Sequence, residues 1–223
     1  MDAYRVIEVK RSVFADNNAD ADRLRAELSA QGTHLVNLMS SPGAGKTTLL
    51  THLIPMLQKT LRVGVMEADI DSDVDAGTIA RTGAKVIQLH TGGMCHLDAD
   101  MTRQGLAQLG AEALDLVVLE NVGNLVCPAE FDTGAHTNLM ILSVPEGHDK
   151  PLKYPLIFQV CDAMVISKTD VLPFFDFDMD KVTQYARMRN PNIEIFPVCA
   201  KTGAGMEALA AWLTARAAQK TQP

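Results

Sequence analysis

The sequence predicts an α/β domain in three layers, with helices on both faces of a mainly parallel sheet, and three observations predict it. Short apolar runs rich in Val, Ile and Leu recur along the chain without the alternation of half-exposed strands, as strands covered on both faces do. Segments with helical spacing fall between several of them, which requires crossover connections and therefore parallel pairing. One of the strands runs straight into a glycine-rich turn and then a helix.

The first helix is expected over Asp16 to Gln31, a polar stretch with Ala21, Leu24 and Leu28 at helical spacing and Gly32 placed to stop it. A buried strand follows over Leu35–Met39, then the glycine-rich turn, then a helix from Lys46 to Gln58. Further strands are expected over Arg62–Ala68, Lys85–Leu89, Leu116–Glu120, Leu139–Val144, Ala163–Ser167 and Glu194–Val198, and further helices over Asp98–Leu109, Met179–Arg189 and Met206–Ala218. The organisation is thus an extension with a leading helix over 1–33, one α/β domain over 34–219 and a tail over 220–223. The aromatic segment Pro173-Phe174-Phe175-Asp176-Phe177 reads as a loop tucked onto the core.

With 223 residues and 47% apolar content the chain can bury a sizeable core. A formal net charge of -7 argues against a broad nucleic-acid footprint or a polybasic membrane anchor, so any phosphate binding must be local. The first 14 residues carry Arg5, Glu8, Lys10 and Arg11 among short apolar stretches, no signal-peptide core is visible, and no run reaches a membrane-spanning length. The chain reads as cytoplasmic. Cys95, Cys127, Cys161 and Cys199 are scattered and read as reduced thiols. Cys161 and Cys199 border apolar runs and read as small core residues.

A polyphosphate cradle needs inward-turned backbone N–H groups, a helix N-terminus, a lysine for the terminal phosphates and a hydroxyl for magnesium. Ser41-Pro42-Gly43-Ala44-Gly45-Lys46-Thr47-Thr48 supplies each part, a P-loop in which Ser40 stands where the strict pattern has its first glycine. This defines a three-layer P-loop NTPase domain. Magnesium takes hard oxygen ligands, for which Thr47 is the first candidate. Strand Val63–Met66 ends in Glu67-Ala68-Asp69-Ile70-Asp71-Ser72-Asp73-Val74-Asp75, carboxylates at the edge where open α/β sheets place ligands, and Asp69 is the first choice among them. Asp71, Asp73 and Asp75 read equally as a solvated acidic loop or as a switch that orients water. The strand before Glu120-Asn121-Val122-Gly123 brings Glu120 to the same edge, and the Gly123 N–H can approach a terminal phosphate. Lys46, Asp69 and Glu120 are accordingly the candidate catalytic residues.

Strand Ala163–Ile166 leads into Ser167-Lys168-Thr169-Asp170. A carboxylate here accepts from both N1–H and the exocyclic amine of guanine, whereas adenine presents an acceptor at N1, so Asp170 argues for GTP. The Lys168 stem can lie over the base and Ala200-Lys201 can close the pocket. Serine is shorter than the asparagine that begins the familiar form of this motif.

Thr91-Gly92-Gly93-Met94-Cys95-His96 sets a thiol beside an imidazole on a glycine-rich loop, and Cys127 follows in Asn124-Leu125-Val126-Cys127-Pro128. These ligand types suit zinc, nickel or copper, and buried cysteines with a capped histidine are the equal alternative. Three ligands fall short of four, a deficit that a two-fold dimer sharing ions would fill with protein or water.

From Leu35 to Met206 the chain closely resembles the HypB family, GTPases that assist nickel insertion into NiFe-hydrogenase. The resemblance rests on Asn37 through Thr48, Thr91 to Asp98, Glu120 through Pro128, Glu146-Gly147-His148-Asp149-Lys150-Pro151-Leu152-Lys153-Tyr154-Pro155, and Ser167 through Asp170. It implies a G domain that forms a homodimer with GTP, hydrolyses GTP slowly, and binds nickel or zinc at the subunit interface through residues matching Cys95, His96 and Cys127. It also implies a nickel-delivery partner and the hydrogenase large subunit as partners. Family members with a separate tight nickel site carry a Cys-rich N-terminal motif and some a His-rich stretch; here no cysteine precedes Cys95 and His34 is the sole histidine before the loop. No glutamine follows Gly123 to orient an attacking water, which fits slow turnover.

Overall fold

The computed structural model describes residues 17–69 and 74–219, and the backbone of residues 5–8. Asp71, Asp73 and the tail over 220–223 lie outside the described residues. The strands are β1 (Arg5–Glu8), β2 (His34–Ser40), β3 (Val63–Asp69), β4 (Lys85–His90), β5 (Leu116–Glu120), β6 (Thr137–Ser143), β7 (Ala163–Ser167) and β8 (Glu194–Pro197). They form one sheet in the order β1-β4-β3-β5-β2-β6-β7-β8, every neighbour parallel. The helices are α1 (Asn17–Gln31), α2 (Lys46–Leu57), α3 (Val74–Ala80), α4 (Ala99–Leu109), α5 (Cys127–Glu130), α6 (Lys150–Lys153), α7 (Pro155–Val160), α8 (Met179–Arg189) and α9 (Met206–Ala218). Among the described residues no helix is long and apolar enough to cross a membrane.

The periodic segments of the sequence all become elements, with ends displaced by at most two residues. β6 begins at Thr137 rather than Leu139, because Thr137 and Asn138 still pair with Val36 and Asn37 of β2. β1 and the short helices α3, α5, α6 and α7 go beyond the sequence expectation; the helices run for two turns or fewer, too short for a helical period to show. Pro128, Pro151 and Pro155 start the last three of these, where the missing N–H costs nothing.

Alternation along each strand sends side chains to two different layers. Val36 and Leu38 of β2 face a cluster with Leu49, Leu50, Leu53 and Ile54 of α2, Ile79 of α3 and Leu209 of α9. The opposite face holds two separate clusters, one built with α1 and α4 around Leu24, Leu28 and Met101, the other with α7 and α8 around Phe158 and Val182. Leu35 belongs to the first and Met39 to the second, and Asn37 sits between them, 2% exposed. Cys161 and Cys199 are buried, as their apolar neighbours suggest. The aromatic segment departs from expectation: Phe177 packs on the α7/α8 cluster, but Phe174 is 81% exposed.

At the sheet end remote from the glycine-rich turn, His34 and His136 stack with ring centroids 4.9 Å apart. His136 Nδ1 accepts from the Leu35 N–H at 3.1 Å, so its proton lies on Nε2, which faces Ser29 Oγ at 3.0 Å. His34 Nε2 meets Thr137 Oγ1 at 2.9 Å.

Gly205 precedes α9 with φ 76°, and a Cβ built there would lie 2.0 Å from the Pro197 carbonyl oxygen. Gly83 also has a positive φ, 81°, with nothing within 4 Å of such a Cβ. Urea denaturation should therefore show Gly83→Ala losing on the order of 1–3 kcal/mol for the backbone alone and Gly205→Ala losing more; equal losses would mean the carbonyl contact is unimportant.

Candidate functional site: a phosphate cleft on the carboxyl edge

Because every strand runs the same way, the turns after β2, β3, β5 and β7 share one edge of the sheet. The turn after β2 is Ser41–Gly45. Gly43 and Gly45 have φ 74° and 98°, left-handed values that glycine adopts without strain. Ser40 stays in ordinary backbone territory at the end of β2, so the glycine of the strict pattern is not required there. No side chain caps α2 at Gly45, which leaves the first-turn N–H groups of a 12-residue helix to an incoming anion. The cleft above this turn has a volume of about 590 Å³ and is lined by Gly43, Gly45, Lys46, Thr47, Thr48, Asp69, Asp75, Glu120, Gly123 and Lys168 among others. Ala44 is buried beneath it.

Lys46 Nζ lies 3.1 Å from Ser40 Oγ and 3.9 Å from Glu120 Oε1. Glu120 is 2% exposed, and beside it lies Glu67, 3% exposed. Together with Asp75 these residues offer carboxylate oxygens within 4.8 Å of one another, and Oε2 of both glutamates is buried without a hydrogen-bond partner. Burial, then the neighbouring Glu120, raise the Glu67 carboxyl well above the ordinary range. Burial lifts Glu120 to about 7, against the opposing pull of Lys46. Glu67 is the site residue that sequence reasoning passed over in favour of Asp69. The available signal was an acid inside the otherwise apolar run Val63–Ala68.

The turn after β7 is fastened to the phosphate loop. Ser167 Oγ donates to the Ala44 carbonyl at 2.7 Å, and Lys168 Nζ donates to the Gly43 carbonyl at 2.6 Å. Lys168 has φ 59°, alone among described non-glycine residues in being positive. Asp170 follows, exposed, and the Thr169 N–H donates to the Val198 carbonyl at 3.3 Å, which sets this turn beside half-buried Ala200 and exposed Lys201. Asp170, Ala200 and Lys201 stand apart from the lining of the phosphate cleft.

Gly123 packs so closely on the phosphate loop that a Cβ would lie 3.2 Å from the Pro42 nitrogen. One residue on, the Asn124 Oδ1 accepts from the N–H groups of Val126 and Cys127 at 2.8 and 3.3 Å, and its Nδ2 lies 3.7 Å from Cys127 Sγ. Hydrogen bonding to Cys95, then burial, pushes the Cys127 thiol up. His96 Nδ1 lies 4.0 Å from Cys95 Sγ, and the His96 ring stacks on Phe131 with centroids 3.7 Å apart. Among the described residues the carboxylate trio, not this one, meets the 4.8 Å closeness.

Fold and cleft together define a P-loop nucleotide-binding protein. The CobW/HypB/UreG nucleotide-binding domain profile matches residues 34–197. A curated relative, hydrogenase maturation factor HypB of Azotobacter vinelandii, is 44% identical over 209 residues, covering 94% of this chain and 69% of the relative. The Helicobacter pylori strain J99 relative, named hydrogenase/urease maturation factor HypB, is 37% identical over 90% of this chain and 84% of its own length. The crystal structure of HypB from Helicobacter pylori in complex with nickel superposes with a TM-score of 0.85 at 35% identity, covering 93% of this chain and 97% of that one. The chain belongs to the CobW/HypB/UreG family, among its HypB hydrogenase maturation factors.

A carboxyl whose folded pKa is raised binds its proton more tightly in the native state, so stability falls as pH rises from the unfolded pKa through the folded one. With nucleotide and divalent cations removed, the melting temperature of wild type should fall relative to Glu120→Gln as pH rises from about 5 to about 8. A difference that stays constant with pH would show that Glu120 is ionised throughout.

Proposed function

We propose that the protein is a GTP-hydrolysing metallochaperone that assists nickel insertion into NiFe-hydrogenase through a GTP-dependent dimer switch. The observation that carries this reading is the fastening of the Ser167–Lys168 turn to the Gly43 and Ala44 carbonyls, which couples a guanine-reading turn to a phosphate loop. Asp170 accepts from the guanine N1–H and amine, the Lys168 stem covers the base, and Ala200 and Lys201 close its far side. Gly43, Ala44, Gly45, Lys46, Thr47 and Thr48 hold the phosphates. Lys46 exchanges its contacts with Ser40 and Glu120 for the terminal phosphates.

Magnesium fits the cleft: Thr47, Asp69 and Glu120 are hard oxygen ligands lining it, and the unpartnered Glu120 Oε2 is an acceptor in need of a cation. These residues would hold the ion, which neutralises charge on the transferring phosphoryl group. Lys46, Asp69 and Glu120 then act by electrostatic positioning, and the slow turnover resets a dimer.

Cys95, His96 and Cys127 take nickel or zinc as cargo, with a second subunit completing the ligand set. The influence of Cys95 on the Cys127 thiol supports this, as does the nickel in the Helicobacter pylori relative's structure. Dimerisation is supported by uncovered apolar side chains: Leu152, Leu156 and Val160 recur every fourth residue, and Phe174 and Phe175 stand exposed nearby in sequence to the base-reading turn. Lys153 pairs with Asp149 at 2.6 Å, and Lys150 lies over the Tyr154 ring. A urease-directed role is the second reading, favoured by the name of the Helicobacter relative.

The test is equilibrium nickel and zinc binding with solution mass, in GDP and in a non-hydrolysable GTP analogue, for wild type and Cys127→Ala. A dimer formed with the analogue, binding metal that Cys127→Ala loses, is the expected outcome; metal binding indifferent to nucleotide and to Cys127 would overturn the switch. Isothermal titration should also show Asp170→Ala losing about tenfold or more in GTP affinity with ATP affinity unmoved, and an equal loss for both would remove the guanine assignment.

A further inference from the structure

Three asparagines, from β2, β6 and the turn after β5, form one chain of hydrogen bonds behind the cleft, buried at Asn121 and Asn37 and half-buried at Asn138. Asn121 follows β5, Asn37 lies within β2, and Asn138 stands directly beside Asn37 on β6. Asn121 Oδ1 accepts from the Val122 N–H at 2.9 Å, which leaves its Nδ2 to donate to Asn37 Oδ1 at 3.0 Å. Asn37 must then donate through Nδ2 to Asn138 Oδ1, at 3.1 Å, and Asn138 through its own Nδ2 to the Val160 carbonyl at 3.3 Å. A backbone N–H at one end and a backbone carbonyl at the other fix the direction of every amide. Asn121 and Asn37 are 0% and 2% exposed, so an amide turned the wrong way would leave buried groups unpaired.

The ends of this chain give it meaning. At one end the bonded Val122 is followed by Gly123, and both line the phosphate cleft. At the other, Val160 closes α7, whose Leu156 and Val160 belong to the uncovered apolar face. Asn37 occupies the seam between the two clusters on that side of the sheet, where an apolar side chain would merge them.

We propose that Asn37, Asn121 and Asn138 are positioning residues that hold the Val122–Gly123 turn where the Gly123 N–H meets the terminal phosphate of a nucleoside triphosphate, and that they tie this turn to the end of α7. The inference rests on the proposed GTP binding and goes beyond it. On this proposal it is the terminal phosphate that meets the Gly123 N–H, so the relay acts on triphosphate binding and leaves diphosphate binding alone. A merely structural role would weaken both together.

The experiment measures affinity for GDP and for guanosine 5′-(β,γ-imido)triphosphate with magnesium, by isothermal titration, in wild type, Gly123→Ala, Asn37→Leu and Asn138→Ala. Asn37→Leu should lose about tenfold for the imidotriphosphate, the equivalent of one buried hydrogen bond, and stay within about twofold for GDP. Asn138→Ala, at the half-buried end, should show a smaller split in the same direction, and it carries the test if Asn37→Leu does not fold. Equal losses for both ligands, or no loss in a folded variant, would overturn the relay. A split in Gly123→Ala without one in the asparagine variants overturns the relay alone and leaves the GTP reading standing. Failure of wild type to bind either guanine nucleotide removes both.

Discussion

The position of β2 between β5 and β6 is the constraint from which the site follows. The chain leaves β2 toward β3 and β4 on one side, returns through β5, and only then builds β6, β7 and β8 on the other. The turn after β2 therefore opens at the point where crossovers diverge, the place at which a parallel sheet leaves a crevice. Asp69 and Glu120 arrive from one side of that crevice and Lys168 from the other. Parallel pairing makes these residues neighbours without any local signal linking them in sequence.

Charge within the crevice is arranged with little compensation. Two buried glutamates face one lysine that is already shared with Ser40, and the unpaired oxygens Glu67 Oε2 and Glu120 Oε2 are what a cation would satisfy. The raised carboxyl pKa values are the protein's own answer: protonation removes a charge that burial disfavours. Binding a cation and binding protons are competing ways of meeting the same deficit.

The fold was legible because long, strongly patterned segments decide it, and the phosphate loop was legible because its mechanism is contiguous in sequence. Ser167 is shorter than the asparagine that usually stands there, and its Oγ reaches the Ala44 carbonyl at 2.7 Å; how closely β7 approaches the loop is a tertiary fact. Glu67 was visible only as an acid in an apolar strand. The amide chain was not legible at all, for Asn121 and Asn138 stand 84 and 101 residues from Asn37 and nothing in a single strand pattern reveals a polar seam. The aromatic segment reads as a loop tucked onto the core, yet Phe174, the last residue of the 3-10 helix Thr169–Phe174, is exposed.

The stacked imidazoles at the far end of the sheet have a consequence for acid tolerance. Burial holds His34 down to about 4 and lowers His136 as well, so both stay neutral in the native state while the unfolded chain takes up protons. Stability from this pair is therefore complete above the ordinary histidine range and drains away as pH falls toward about 4. A protonated His136 can no longer accept from the Leu35 N–H, the bond that helps start β2 beside β6. Acid thus attacks the central strand at its root, with Arg25 and Arg216 nearby adding to the cost of each new positive charge. The nucleotide edge, where acid instead neutralises crowded carboxylates, responds with the opposite sign.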